Sequence, residues 1–277
     1  MDDPLGDRMK ALEAVEAGRR FPRNLPILAR IDGRAFSAWT RDLPRPFDPR
    51  LTDLMVATTE ALVRETGACF GYTQSDEITL VLYAEEPGAQ VWFDGRVAKL
   101  CSQLAAQATA VFNLLLPERL PEKAAQRSVT SVPTFDARVW TVPDAAAVVD
   151  TVRWRAEDAT RNSVAMAARA RFSHKACDHK DTAALRAMLR EAQAPWEALP
   201  EAFKRGTMLQ RRKVSRPFST DELERLPPRH EARLNPSLVV ERTTIFTAPL
   251  PRFSRVTNPE AVVLRGAEPT LDEIKLQ

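Results

Sequence analysis

Apolar residues along the chain recur at intervals that alternate between helical and strand-like. Over 7–18, Met9, Leu12 and Val15 recur with helical spacing, which predicts a short amphipathic helix ended by Pro22 and Pro26. Ile27-Leu28-Ala29-Arg30-Ile31 is a compact apolar run between Pro26 and Gly33, the pattern of a buried strand. Leu51, Leu54, Met55, Thr58, Leu62 and Val63 then repeat helically over 49–65, and Gly67 marks the stop. Strands are expected at 68–73 and 77–83, joined as a hairpin through Gln74-Ser75-Asp76. A long helix is expected over 93–115, with Val97, Leu100, Leu104, Ala108 and Val111 on one face. From 134 to 142, Phe135, Ala137, Val139 and Thr141 alternate with Asp136, Arg138 and Trp140, giving a fourth strand. The order βαββαβ is that of a ferredoxin-like α+β fold.

Beyond it, 145–170 reads as helix, with shorter helices at 181–192 and 196–203. Strand-like patterning returns at 206–214 and 237–246 around a proline-rich loop. No repeat or flexible linker separates the parts. The expected organisation is a domain over 1–145 and a helical and β C-terminal lobe over 146–277 packed against it.

In that topology the first strand ends at the edge where the hairpin turn lies. Asp32 follows the first strand, Asp76 and Glu77 occupy the turn, and strands 1 and 3 are neighbours, so Asp32 and Asp76 are expected about 5 Å apart. Paired carboxylates repel unless a cation sits between them, and hard oxygen ligands beside a phosphate suit magnesium. Two ions there would activate an attacking hydroxyl and stabilise a leaving phosphate, with the Gly33 carbonyl as a further ligand. Taken singly, Asp32 reads equally as a helix cap and Asp76 as an ordinary turn residue. Arg96 and Lys99, at i and i+3 near the start of the second long helix, form either a triphosphate site or a solvated face.

Charge sharpens this picture. The net charge is +3, yet residues 151–216 hold fifteen Lys and Arg against seven Asp and Glu. A basic lobe beside an acidic remainder points to phosphate-backbone binding, with an Arg-rich solvated surface as the plain alternative. From 155, the polar positions Arg155, Asp158, Asn162 and Arg169 form a helical stripe that faces RNA, faces the site, or is simply solvated. Trp154 is either a base-stacking surface or core. At 44% hydrophobic and 28% charged the composition is that of a globular protein. Neither an apolar run of about 18 residues nor a secretory leader is visible, so a cytoplasmic location without a membrane span is expected. Cys69, Cys101 and Cys177 lack framework spacing and read as reduced thiols. His174, Cys177 and His179 lack a fourth ligand for zinc.

Several segments, in order over about 26–210, resemble the tRNA-His guanylyltransferase family. They are Arg30-Ile31-Asp32-Gly33-Arg34-Ala35-Phe36, Gln74-Ser75-Asp76-Glu77, Arg96 with Lys99, Phe135-Asp136-Ala137-Arg138-Val139, Trp154-Arg155 and Lys204-Arg205-Gly206-Thr207. The resemblance implies a polymerase-type palm that extends tRNA at its 5′ end, in the 3′–5′ direction, after activation by ATP or GTP. It implies two magnesium ions, NTP substrates, a tRNA partner and a homo-oligomer, dimer or tetramer. Asp32, Asp76 and the Gly33 carbonyl would hold the metals, with Glu77 in support. Arg30, Arg34, Arg45, Asp48, Ser75, Arg96 and Lys99 would meet the nucleotide. Arg138, Arg155, Asn162, Lys204 and Arg205 would meet RNA. Thr160 stands where eukaryotic members carry a histidine, and Ala137 where the family has glycine. These departures are similar to the bacterial or phage-type branch, whose members repair 5′-truncated tRNAs. A palm-type nucleotide cyclase is the competing enzyme, distinguished by a GG[DE]EF hairpin that this chain replaces with Gln74-Ser75-Asp76-Glu77. A non-catalytic tRNA-binding protein is the competing class, and the intact carboxylates argue against it.

Overall fold

The structure, a computed structural model, describes residues 3–83, 92–235 and 237–272. Helix α1 (Pro4–Ala17) starts at the Asp3 cap. It is the helix the spacing predicts, but none of its residues is buried, and Leu5, Met9, Leu12 and Val15 are exposed. No layer among the described residues packs on that stripe.

Strand β1 (Ile27–Gly33) is buried over its first three residues and at Ile31. It runs into the short α2 (Phe36–Trp39) and then α3 (Pro49–Thr66). The Asp48 side chain caps α3, Pro49 opens it, and Gly67 ends it at φ 71°, a left-handed conformation glycine adopts without strain. Strands β2 (Phe70–Gln74) and β3 (Glu77–Leu82) form the expected hairpin, with Ser75 at φ 56° in the turn. Then come α4 (Val97–Arg119), α5 (Pro121–Ala125), β4 (Phe135–Thr141) and the long α6 (Ala145–Arg169). By length and hydropathy α4 passes as a membrane span, contrary to the expectation from run length. Its inner face, Leu100, Leu104, Ala108, Phe112 and Leu116, is fully buried in the protein. The chain continues through α7 (His174–Cys177), α8 (Thr182–Glu191), α9 (Glu201–Arg205), β5 (Thr207–Pro217), α10 (Thr220–Arg225), α11 (Glu231–Leu234), β6 (Val239–Pro249) and α12 (Pro259–Arg265).

All six strands form one antiparallel sheet in the order β4-β1-β3-β2-β5-β6. The sheet therefore crosses the 145/146 boundary expected from the sequence: the strand-like tail supplies β5, which pairs with β2 through Phe70↔Gln210 to Thr73↔Thr207. Gly206, at φ 80°, makes that approach possible; a Cβ there would lie 2.6 Å from the Tyr72 hydroxyl and 2.7 Å from the Thr73 carbonyl oxygen.

Strand alternation sorts side chains into two cores. Ala29, Ile31, Ile78 and Leu80 pack against α3 and α4 through Leu54, Leu62, Leu104 and Phe112. Leu28, Phe70, Tyr72 and Val81 pack against α6 and α12 through Val148, Val152, Val262 and Val263. Each fully buried large side chain contributes about 1.5–3 kcal/mol relative to an exposed one. A third cluster ties the end of α6 to α8 and α9 around Trp196 and Phe203.

Candidate active site

The period of two that buries Ala29 and Ile31 on one face puts Arg30 and Asp32 on the other, beside α6. Asp32 stands opposite Glu77 of β3 and Asp136 of β4. Directly opposed side chains on antiparallel neighbours lie about 4.5–5.5 Å apart, so three carboxylates cross the sheet in a row. Two of them are neutralised. Arg155 of α6 donates to Glu77, with the Arg30 guanidinium 3.9 Å away, and Arg138 pairs with Asp136 at 3.4 Å. Asp32 has no basic partner among the described residues.

The turn brings a fourth acid to the same rim. Gly33 N–H donates to the Asp76 carbonyl at 3.1 Å, which ties the hairpin turn to the end of β1. Among the described side chains, the Ser75 hydroxyl donates to the Asp76 carboxylate, at 3.0 Å. Burial, together with the charge of Asp32, pushes its carboxyl above the usual range, against the pull of Ser75 and the backbone. Two unneutralised oxygen donors held together are a fit for a divalent cation, the charge the protein itself does not supply there. Gly33 is glycine because the Phe36 ring lies on its Cα, 2.4 Å from any Cβ.

Beside Asp76 a cleft of about 540 Å³ opens between the 43–48 loop, the start of α3, the hairpin turn and the end of α6. Phe36, Leu51, Met55 and the stacked pair Phe47 and Phe203, 4.7 Å between centroids, give it apolar surface. Polar and charged groups are interleaved with these, among them Arg45, Ser75, Asp76 and Arg169, and Arg45 donates to the Thr40 carbonyl at 3.3 Å. A volume in this range with mixed apolar and polar lining suits a small organic ligand.

Several sequence-predicted residues fall elsewhere. Arg96 and Lys99 do not reach the carboxylates within this chain. The first turn of α4 packs on Ile27, at the opposite end of β1, about 17 Å from Asp32 at strand rise. Asp48 lines the cleft but is buried and committed: it caps the Arg50 N–H at 2.9 Å and holds the Arg50 guanidinium at 2.7 Å, which keeps its carboxyl low. Arg155 is nearly buried between Glu77 and Asp158, so it positions the acid rather than presenting itself to a polymer. Lys204 is buried as well, donating to the Glu197 carbonyl at 2.8 Å and pairing with Glu201 at 2.6 Å. Arg205 pairs with Glu201. Arg34 and Arg138 are exposed at the rim, and Asn162 is exposed on α6, 3.4 Å from Asp158. Trp154 is half-exposed, with the Arg155 guanidinium 4.9 Å from its ring. Among the described residues no cluster of three or more His, Cys, Asp or Glu has metal-site geometry, so His174, Cys177 and His179 form no zinc site and Asp32, Asp76, Glu77 and Asp136 do not converge as one set of ligands.

The fold and rim define a class: a mixed helix and antiparallel-sheet protein with an acidic edge beside a ligand-sized cleft. The profile of the tRNAHis guanylyltransferase family matches residues 6–143. A bacterial tRNA(His) guanylyltransferase-like protein solved in complex with ATP superposes with a TM-score of 0.68 at 32% identity, covering 75% of this chain and 86% of that one. A bacterial protein of the same description solved in complex with GTP gives 0.68 at 26% identity, covering 91% and 94%. The tRNA(His) guanylyltransferase of Schizosaccharomyces pombe is 28% identical over 158 residues, 55% of this chain and 57% of the relative. The chain spans about half the length of the curated relatives it matches. It belongs to the tRNA-His guanylyltransferase family.

Proposed function

We propose that the protein is a nucleotidyltransferase that adds nucleotides to the 5′ end of tRNA in the 3′–5′ direction. The observation that carries this is the acid pair Asp32 and Asp76, without a basic partner among the described residues, with Asp76 lining the adjoining cleft. The β4-β1-β3-β2 unit, with α3 and α4 behind it, serves as a ferredoxin-like polymerase palm, and the family likeness supports that role. ATP and GTP are the candidate ligands of the cleft, since family relatives were solved with them. Phe47 and Phe203 supply the apolar surface that a nucleobase needs.

Magnesium, as two ions on Asp32, Asp76 and the Gly33 carbonyl, would lower the pKa of an attacking hydroxyl and neutralise charge on the phosphates. The residues of the chain hold the rest in place. Arg155 and Arg30 fix Glu77 and so hold the start of β3, while the Gly33–Asp76 hydrogen bond fixes the turn. In the activation step a 5′-phosphate oxygen of tRNA attacks the α-phosphorus of ATP and pyrophosphate leaves. In the addition step the 3′-hydroxyl of an incoming nucleotide attacks the activated 5′-phosphorus, loses its proton, and AMP leaves. A homo-oligomer is part of this proposal on family likeness alone.

The test is purified protein with magnesium, ATP, single labelled NTPs, tRNA-His, and other tRNAs lacking their first nucleotide. Label should enter the RNA at its 5′ end, and Asp32→Ala or Asp76→Ala should reduce incorporation at least about a thousandfold with the circular dichroism spectrum unchanged. Near wild-type incorporation by either variant would overturn the assignment. Conversion of free NTP to a cyclic product without RNA would replace it with the cyclase.

A further inference from the structure

A second cleft, of about 370 Å³, lies between α6, α8, α9 and the loop after β6, away from the one beside Asp76. Four guanidinium groups from four segments converge on it: Arg161, Arg186, Arg205 and Arg252. Like charges do not gather without a cause, and the surroundings show how these are held. Trp196, itself fully buried and donating its indole N–H to the Ser163 hydroxyl at 3.0 Å, carries Arg186 and Arg205 over its ring at 4.6 and 5.4 Å. Carboxylates complete the arrangement. Arg186 donates through Nε and Nη2 to Glu197, Arg205 through Nη1 to Glu201, and Arg161 through Nη2 to Asp158 at 3.1 Å. None of those three acids lines the cleft, and Glu157 is the only acid that does. Arg161, Arg186 and Arg205 are thus each anchored through part of the fork, with other N–H groups left over. Arg252 is exposed and has no ion pair among the described residues.

We infer that this arginine cleft binds the phosphodiester backbone of RNA. Guanidinium forks match phosphate oxygens in geometry and keep their charge. Both aromatic rings of the cleft, Trp196 and Phe253, are buried, so a nucleobase would find no face to stack on. No unpaired carboxylate couple is present to share a metal with a triphosphate. A backbone phosphate without its base is the remaining fit, and contacts of that kind fix register rather than read sequence. The cleft sits where it can do so: Arg161 follows Arg155, the partner of Glu77, by about 9 Å along α6. That the polymer is a tRNA rests on the 5′-addition proposal; the phosphodiester chemistry does not.

The experiment compares the wild-type chain with Arg161→Glu, Arg252→Glu and the double variant. Both side chains are exposed and away from the Trp196 stack, so melting curves should match wild type. Binding of an unmodified tRNA transcript is measured from low to moderate salt, and binding of ATP with magnesium is measured in parallel. The double variant should bind the transcript at least about tenfold more weakly, with a salt slope shallower by about two, one for each lost phosphate contact. Unchanged affinity and slope would overturn the inference. A loss of ATP binding with transcript binding intact would also overturn it, making the cleft a nucleotide subsite. Transcript binding that depends on Arg161 and Arg252 in a wild-type protein unable to extend the RNA would uphold this inference and remove the proposed activity instead.

Discussion

Asp76 is asked to be ionised in the place least suited to it. It is half-buried, faces the like charge of Asp32, and has one neighbouring hydroxyl in support. Functional groups of this kind cost stability until their ligand arrives. Asp76→Asn should therefore raise the melting midpoint in magnesium-free buffer, because the amide keeps the Ser75 contact and loses the charge. It should also abolish the magnesium-dependent rise expected of the wild type, which follows from binding to the folded state alone. A lower midpoint for the asparagine variant would show that the carboxylate is stabilised by groups other than a metal. The two acids were legible in the sequence because strand alternation and a short turn fix their position locally. The commitment of Glu77 was not, since its partner Arg155 is 78 positions away and looked like one member of a polar helical stripe.

Among the elements, α4 shows how segments adjacent in a motif order can stand apart in space. Strand β3 leads the chain away from the Ser75–Asp76 turn, so the helix after it begins a full strand length from the carboxylates, and Arg96 and Lys99 begin with it. The segment from α8 to α9 shows a different economy of charge. Burial alone would raise the Glu197 carboxyl, but hydrogen bonds from Arg186 and Arg190 outweigh it and hold the group at about 2. A depressed value means that this contribution to stability is complete above the ordinary glutamate value of about 4.5 and fades as pH falls toward 2. Glu197→Gln should lower the melting midpoint at pH 7 and flatten the acid limb between about 4.5 and 2, as followed by circular dichroism melts. An acid limb identical to wild type would mean that the Arg186–Glu197–Arg190 contacts contribute nothing in solution.

At the scale of the molecule, the basic surplus of residues 151–216 is extensively tied into ion pairs. Arg161, Arg186, Arg190, Lys204, Arg205, Lys213 and Arg216 all pair with nearby acids, and three of them, Arg161, Arg186 and Arg205, also line the second cleft. Net charge over a window cannot show which side chains meet. The βαββαβ order was legible because each element there carries its own period and its own stop. The membership of β5 and β6 in the same sheet was not, because sheet neighbours far apart in sequence leave no local trace. A chain cut after residue 145 would keep all of the family-matched segment, yet it would leave the β2 edge unpaired and Leu28, Phe70, Tyr72 and Val81 without their cover from α6 and α12. Such a fragment should aggregate on size-exclusion chromatography or bind a hydrophobic dye. A monodisperse, cooperatively melting fragment would show that the sheet is two units after all.

Synthesis imposes its own order on this architecture. Tyr72 closes against the Arg205 carbonyl 133 positions later, so the hairpin that carries Asp76 leaves the ribosome long before the strand that shields it exists. The nascent acidic rim must wait, half-assembled and apolar on one side, until those 133 positions have been added, and non-local closure of this kind is slow. Cellular yield should then depend on holdase chaperones and on the pace of decoding between β4 and β5 more than on the final stability of the folded protein.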